Sequence, residues 1–89
     1  MKIWKFPLEL ADHQKIKAPF NMGPLSVQMQ NGVPCLWAIV DPAMGETLHN
    51  VWIHGTGHEV DPLVAGHFVG TFQALNGSLV FHVFCIPTK

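Results

Sequence analysis

The chain has 89 residues, 48% hydrophobic and only 12% charged, with a formal net charge of −1 at pH 7. That is enough chain for one domain, too apolar for a disordered segment, and too poor in clustered Lys and Arg to grip the phosphates of duplex nucleic acid. Arginine is absent, so no guanidinium fork is available for bidentate anion recognition, and no segment has the apolar run of about 20 residues that a membrane helix needs.

In chain order, strand patterns dominate. Ile3 to Leu10 alternates Trp4, Phe6, Leu8 and Leu10 against Lys5, Pro7 and Glu9. Pro7 cannot donate to a ladder, so this strand is expected at a sheet edge. After a polar turn at Asp12-His13, Gln14 to Ala18 alternates again, and Pro19, Gly23 and Pro24 mark a loop. Leu25 to Asp41 contains two strand runs around Asn31-Gly32, a dipeptide suited to the positive φ angles of a type I′ hairpin turn. Ala43 to Leu48 reads as one helical turn, and Val51 to His54 as a short strand ended by Gly55-Thr56-Gly57. Asp61 to Gly66 reads as a second helical turn, with Asp61 as N-cap, Pro62 at the first position and Gly66 as stop. Asn76-Gly77 then closes a second hairpin between His67–Leu75 and Ser78–Ile86. The expected fold is a single all-β domain over residues 1–89. It is a compact sandwich or partly closed barrel of about six or seven antiparallel strands with two Asn-Gly hairpins.

A two-residue turn sets register, and register sets faces. Around Asn31-Gly32, Gln30 should face Val33, Gln28 Cys35, and Ser26 Trp37. The other face (Leu25, Val27, Met29, Pro34, Leu36, Ala38) is wholly apolar and expected in the core. Around Asn76-Gly77, Phe68, Gly70, Phe72 and Ala74 with Leu79, Phe81, Val83 and Cys85 form the expected core face. The opposite face sets Thr71 against His82 and Gln73 against Val80. The second face of each hairpin is half-polar but uncharged, which suits a wet subunit interface, a ligand cleft, or the ordinary solvent face of a sheet.

Six histidines raise the question of a metal. His54 and His58 lie on a turn, where the i, i+4 spacing loses its helical meaning, and His49, His67 and His82 form no ligand motif, so neither metal nor cofactor is expected. Gly55-Thr56-Gly57-His58 is the best ligand loop. Its glycines admit close backbone approach, its amides suit a small anion nest, and Thr56 and His58 add donors. A glycine-rich turn is its bland alternative. Ser26 and Ser78 carry no nucleophile motif, a Cys35–His dyad is disfavoured because Cys35 follows Pro34 inside a strand run, and Glu59 and Asp61 flank the glycine loop, where they could act as acid or base beside His58. An enzyme is therefore not expected. Cys35 and Cys85 sit in apolar runs as free thiols, and the N-terminus lacks a signal-peptide pattern, so a cytoplasmic location is expected.

Several stretches together carry a resemblance. They include Ile3-Trp4-Lys5, Leu25-Ser26-Val27-Gln28, Gln30-Asn31-Gly32, Pro34-Cys35-Leu36-Trp37-Ala38, Val40-Asp41-Pro42, Gly55-Thr56-Gly57-His58, Gly70-Thr71-Phe72-Gln73 and Leu79-Val80-Phe81-His82-Val83-Phe84. In these the chain resembles a family of short proteins encoded by tailed bacteriophages and prophages. The resemblance implies phage origin and the host bacterial cytoplasm, and it transfers no functional residue. The expectation is a non-enzymatic, homo-oligomeric binding protein, a sponge for a nucleotide immune signal of the host. Trp37 would stack the base, Gly55, Thr56, Gly57 and His58 would hold phosphate or ribose, and Thr71, Gln73 and His82 would add polar contacts. The alternatives are a protein-interaction module that inhibits a host protein, or a small hydrolase or metal-binding protein.

Overall fold

The computed structural model describes residues 1–88. Seven strands and one helical turn follow the alternation of the chain: β1 (Lys2–Pro7), β2 (His13–Pro19), β3 (Gly23–Gln30), β4 (Val33–Val40), β5 (Glu46–Gly55), α1 (Pro62–Ala65), β6 (Phe68–Ala74) and β7 (Leu79–Ile86). They form two antiparallel sheets, ordered β1-β4-β3 and β2-β5-β7-β6, which are not closed into a barrel. β1 is an edge strand, where the missing N–H of Pro7 costs no ladder bond.

Turn stereochemistry sets both hairpins. Asn31 (φ 51°) and Gly32 (φ 81°) are both left-handed, as a type I′ turn requires. The register is the expected one, with Gln30 opposite Val33 and Ser26 opposite Trp37. At the second hairpin Thr71 faces His82 and Gln73 faces Val80. Its turn is wider: Leu75 (φ 50°) and Asn76 (φ 55°) are left-handed, and Gly77 (φ 88°) follows.

The core lies between the sheets. Leu36, Ala38 and Val40 of β4 meet Val51 and Ile53 of β5, Phe72 of β6, and Val83 and Cys85 of β7, with Met22 filling in from the β2–β3 loop. Each fully buried Leu or Val here contributes about 1.5–3 kcal/mol by leaving water. The sheets approach closely where β3 meets β6. A Cβ built on Gly70 would lie 3.0 Å from Val27 Cγ1 and 3.3 Å from Val27 N, so only glycine fits there without displacement.

His49, on β5, is the buried polar residue of this core. Its Nε2 lies 3.2 Å from the Ala18 carbonyl and 3.1 Å from that of Pro19, and its Nδ1 accepts from the Thr88 amide at 2.8 Å. Two acceptors on one side and a donor on the other select the Nε2–H tautomer. The ring thereby ties β2 and the C-terminal segment to β5.

Four local expectations are corrected. Ala43–Leu48 is not helical: Asp41 accepts from the Ala43 amide through Oδ1 and from the Met44 amide through its carbonyl, closing a turn that delivers Glu46 into β5. β5 accordingly runs for ten residues, beyond the expected Val51–His54, because β2 pairs along its first half and β7 along its second. Leu25 is 50% exposed, because the register slips between Pro24 and Ser26 and leaves it on a bulge, and Met29 is exposed near the hairpin tip. Phe68 is 56% exposed rather than core. A second slip between Phe68 and Gly70 turns it to the outer face, and Val69 packs against the core instead.

The Asp61–Gly66 turn forms as expected: Asp61 Oδ1 accepts from the Leu63 amide at 2.8 Å, Pro62 opens the turn and Gly66 ends it. β5 and β6 are both antiparallel to β7, which lies between them, so they run parallel and the segment carrying α1 crosses over β7. Val64 and Phe84 are both buried yet stand apart from the main core. The crossover therefore covers part of the outer face of β7.

Candidate binding cleft at the Gly55–His58 turn

The turn after β5 folds back on itself. The His58 amide donates to the Gly55 carbonyl at 3.1 Å, and the Gly55 amide donates to His58 Nδ1 at 3.3 Å. The imidazole lies so close to Gly55 that a Cβ there would meet the ring at 3.2–3.5 Å, and Gly57 takes φ 90°. With Nδ1 accepting, the proton of the neutral ring sits on Nε2, which becomes a donor. The Thr56 amide is bound to the Val80 carbonyl at 3.3 Å. Three of the four amides of the turn are thus used inside the protein, and the anion nest expected from the two glycines does not form.

What the turn does build is a pair of adjoining clefts. One, of about 180 Å³, is lined by Leu10, Ala11, Asp12, Ile53, Gly55, His58 and Phe81. The other, of about 470 Å³, shares Gly55, His58 and Phe81 and adds Thr56, Ser78, Leu79 and Val80. Asp12 reaches the first cleft because its carbonyl accepts from the Ile53 amide at 3.0 Å, an extension of the β2–β5 pairing. The cleft is thus lined by an acidic residue and a histidine among apolar walls, the usual mixture of a small-molecule site.

Thr56, His82 and Thr71 form one network: Thr56 Oγ1 lies 2.8 Å from His82 Nε2, and Thr71 Oγ1 lies 2.9 Å from His82 Nδ1. Hydroxyl, imidazole and a third group in line resemble a nucleophile–base arrangement, but the third group is a neutral hydroxyl and cannot stabilise an imidazolium as a carboxylate does. The network instead pins the start of the crossover to the sheet. Gln73 stands on the same face, exposed, opposite Val80. Trp37 does not join them. It belongs to the other sheet, half-buried between Lys5 and Ser26, and lines neither cleft.

Sequence reasoning missed Asp12, Leu10, Ile53 and Phe81 as cleft residues, and it missed an aromatic row on the outer face of the four-stranded sheet. There His13 stacks on Trp52 with ring centroids 4.6 Å apart, Trp52 pairs with Phe84, and Phe68 meets Phe84 edge-on at 5.8 Å. His54 pairs with His82 across β5 and β7. No local signal reveals either feature, since both depend on pairing between strands distant in sequence.

The histidines do not gather: His49 faces the core, whereas His54 and His82 face outward, and among the described residues no group of three or more His, Cys, Asp or Glu could hold a metal ion. Cys35 and Cys85 are buried free thiols, and burial pushes the Cys85 thiol up to about 12. Among the described residues no helix is long and apolar enough to cross a membrane.

No curated protein matches the chain, and no solved structure does. Residues 1–89 match the model of DUF7352, a domain of unknown function, and the chain belongs to that family.

Proposed function

We propose that this chain is a non-catalytic binding protein that captures a nucleotide-like small molecule in the cleft beneath the Gly55–His58 turn. One observation carries the reading. Asp12 and His58 line an apolar recess in which the Gly55 and His58 amides and the Asp12 carbonyl are already bonded within the protein. Two features support capture over turnover: the His82 that meets Thr56 is backed by the neutral Thr71 hydroxyl and not by a carboxylate, and Ser78 donates to the Leu75 carbonyl at 2.7 Å. The resemblance to phage and prophage proteins extends the proposal to a host-directed role in the bacterial cytoplasm, sequestering a nucleotide immune signal. Ile3 and Ile39, cross-strand partners that are both exposed, support a self-associated form.

Native mass spectrometry of the purified protein with a panel of cyclic and linear nucleotides tests this. A defined oligomer that gains ligand mass, releases that ligand intact, and loses it in His58→Ala is the expected result. A hydrolysed product would make the protein an enzyme. No mass gain with any nucleotide, together with a host protein retained in pull-down, would replace the reading with that of a protein-interaction module.

A further inference from the structure

The side chains of the smaller cleft differ sharply in what they accept from a ligand. Asp12 offers a carboxylate, which only accepts hydrogen bonds, and among the described residues Asp12 is bonded through its backbone carbonyl alone. His58, with Nδ1 taken by the Gly55 amide, offers Nε2–H, which only donates. Leu10, Ile53 and Phe81 supply apolar walls, and Phe81 is a flat ring held against Phe72 with centroids 5.4 Å apart. No lysine lines either cleft. A ligand that fits must be planar, must present adjacent donors to the carboxylate, must present an acceptor to the imidazole, and must find no cation for a phosphate.

Among the nucleobases only guanine meets these requirements. Its N1–H and N2 amino group are neighbouring donors that suit a carboxylate, and O6 beside them is an acceptor. Adenine turns its N1 lone pair toward the carboxylate. Cytosine pairs one donor with an acceptor, and uracil sets a single N–H between two carbonyls. The 180 Å³ cleft is below the range of a whole-ligand pocket, whereas the adjoining 470 Å³ cleft is within it. The two share Gly55, His58 and Phe81, so a base seated in the first has room for its sugar in the second, beside Thr56 and Ser78.

We infer that the cleft reads the guanine base of a nucleoside and leaves any phosphate in solvent, which deepens the nucleotide-binding reading and rests on it. The test is calorimetric titration of the full chain with guanosine, guanosine monophosphate, adenosine and adenosine monophosphate. The two guanine ligands should bind with similar affinity and at least about tenfold more tightly than the adenine pair, the discrimination expected of one bidentate contact. Asp12 is exposed and on a bend, so Asp12→Asn should keep the melting temperature. It should lose at least about tenfold toward guanosine and narrow the gap to adenosine, because an amide can donate to adenine N1. Equal binding of adenosine, or binding that requires the phosphate, would overturn the guanine inference while leaving a His58-dependent small-molecule site intact. Failure of every nucleoside and nucleotide would overturn both.

Discussion

Gly70→Ala is the sharpest perturbation of the seam between the sheets. The added Cβ would sit 3.0 Å from Val27 Cγ1 and 3.3 Å from Val27 N. Neither neighbour can give way cheaply: Val27 is 3% exposed, stiff at χ1, and its amide is part of the β3 backbone. Overpacking of this kind costs about 1–3 kcal/mol. Against it stands the smaller entropy of the unfolded alanine chain, about 0.4–1 kcal/mol in favour of folding, since Gly70 has no positive φ. At mid-range the clash outweighs the entropy gain, and a net loss of about 1.3 kcal/mol remains. For a domain of this size that lowers the melting temperature by roughly 5–10 °C, read by calorimetry or thermal circular dichroism. Val27→Ala in the same background should recover part of the loss, with a coupling energy of about 0.5–3 kcal/mol in the double-mutant cycle. An unchanged or raised melting temperature for Gly70→Ala would refute the argument that β6 presses on β3 at this point.

Three other outcomes follow from particular residues. Replacing His49 by Leu strands the Thr88 amide and takes a donor from the Ala18 and Pro19 carbonyls, of which Pro19 keeps the Met22 amide, and should cost about 1–3 kcal/mol; an unaltered exchange rate of the Thr88 amide proton would contradict the role given to the ring. Leu75 holds φ 50° while 72% exposed, so Leu75→Asn should raise stability by about 0.5–1 kcal/mol in urea unfolding, because asparagine tolerates the left-handed region and little burial is lost. Cys85, its thiol raised to about 12 by burial from an ordinary value of 9.0, stays protonated while the unfolded chain ionises. Its contribution to stability is complete below pH 9 and is lost as pH rises toward 12, at up to about 1.4 kcal/mol per pH unit, and Cys85→Ala should flatten that slope.

Local stereochemistry made part of this molecule legible. Asn31-Gly32 and Asn76-Gly77 each commit their neighbours to positive φ, and from that the pairing of Ser26 with Trp37 and of Thr71 with His82 follows by counting. The cap at Asp61 could be read the same way, since its parts are adjacent in the chain. The bulges at Leu25 and Val69 could not. Each inserts a residue that alternation alone assigns to a face, and each inverts everything on its far side, which is why alternation puts Phe68 in the core and the fold does not. The Gly55–His58 turn stood out by composition, but Asp12 and Phe81 arrive beside it through the β2–β5 and β5–β7 registers, which no turn sets. Trp37 shows the converse: its face was readable, but nothing in the sequence told that the turn belongs to a different sheet.

The placement of β7 also shapes how the domain can be made. This strand is the last of the seven to leave the ribosome, yet it lies inside the four-stranded sheet with β5 on one side and β6 on the other. Until residues 79–86 emerge, β5 and β6 have no partner between them, and Val51, Ile53 and Phe72 lack the cover of Val83 and Cys85. The first sheet, whose strands all lie within the first 40 residues, can pair during synthesis, and so can β2 with β5, whereas the second sheet stays incomplete until β7 has emerged. A nascent chain stalled before Leu79 would therefore display open strand edges and offer itself to chaperones rather than fold, and both clefts would lack the Phe81 wall until β7 joins the sheet.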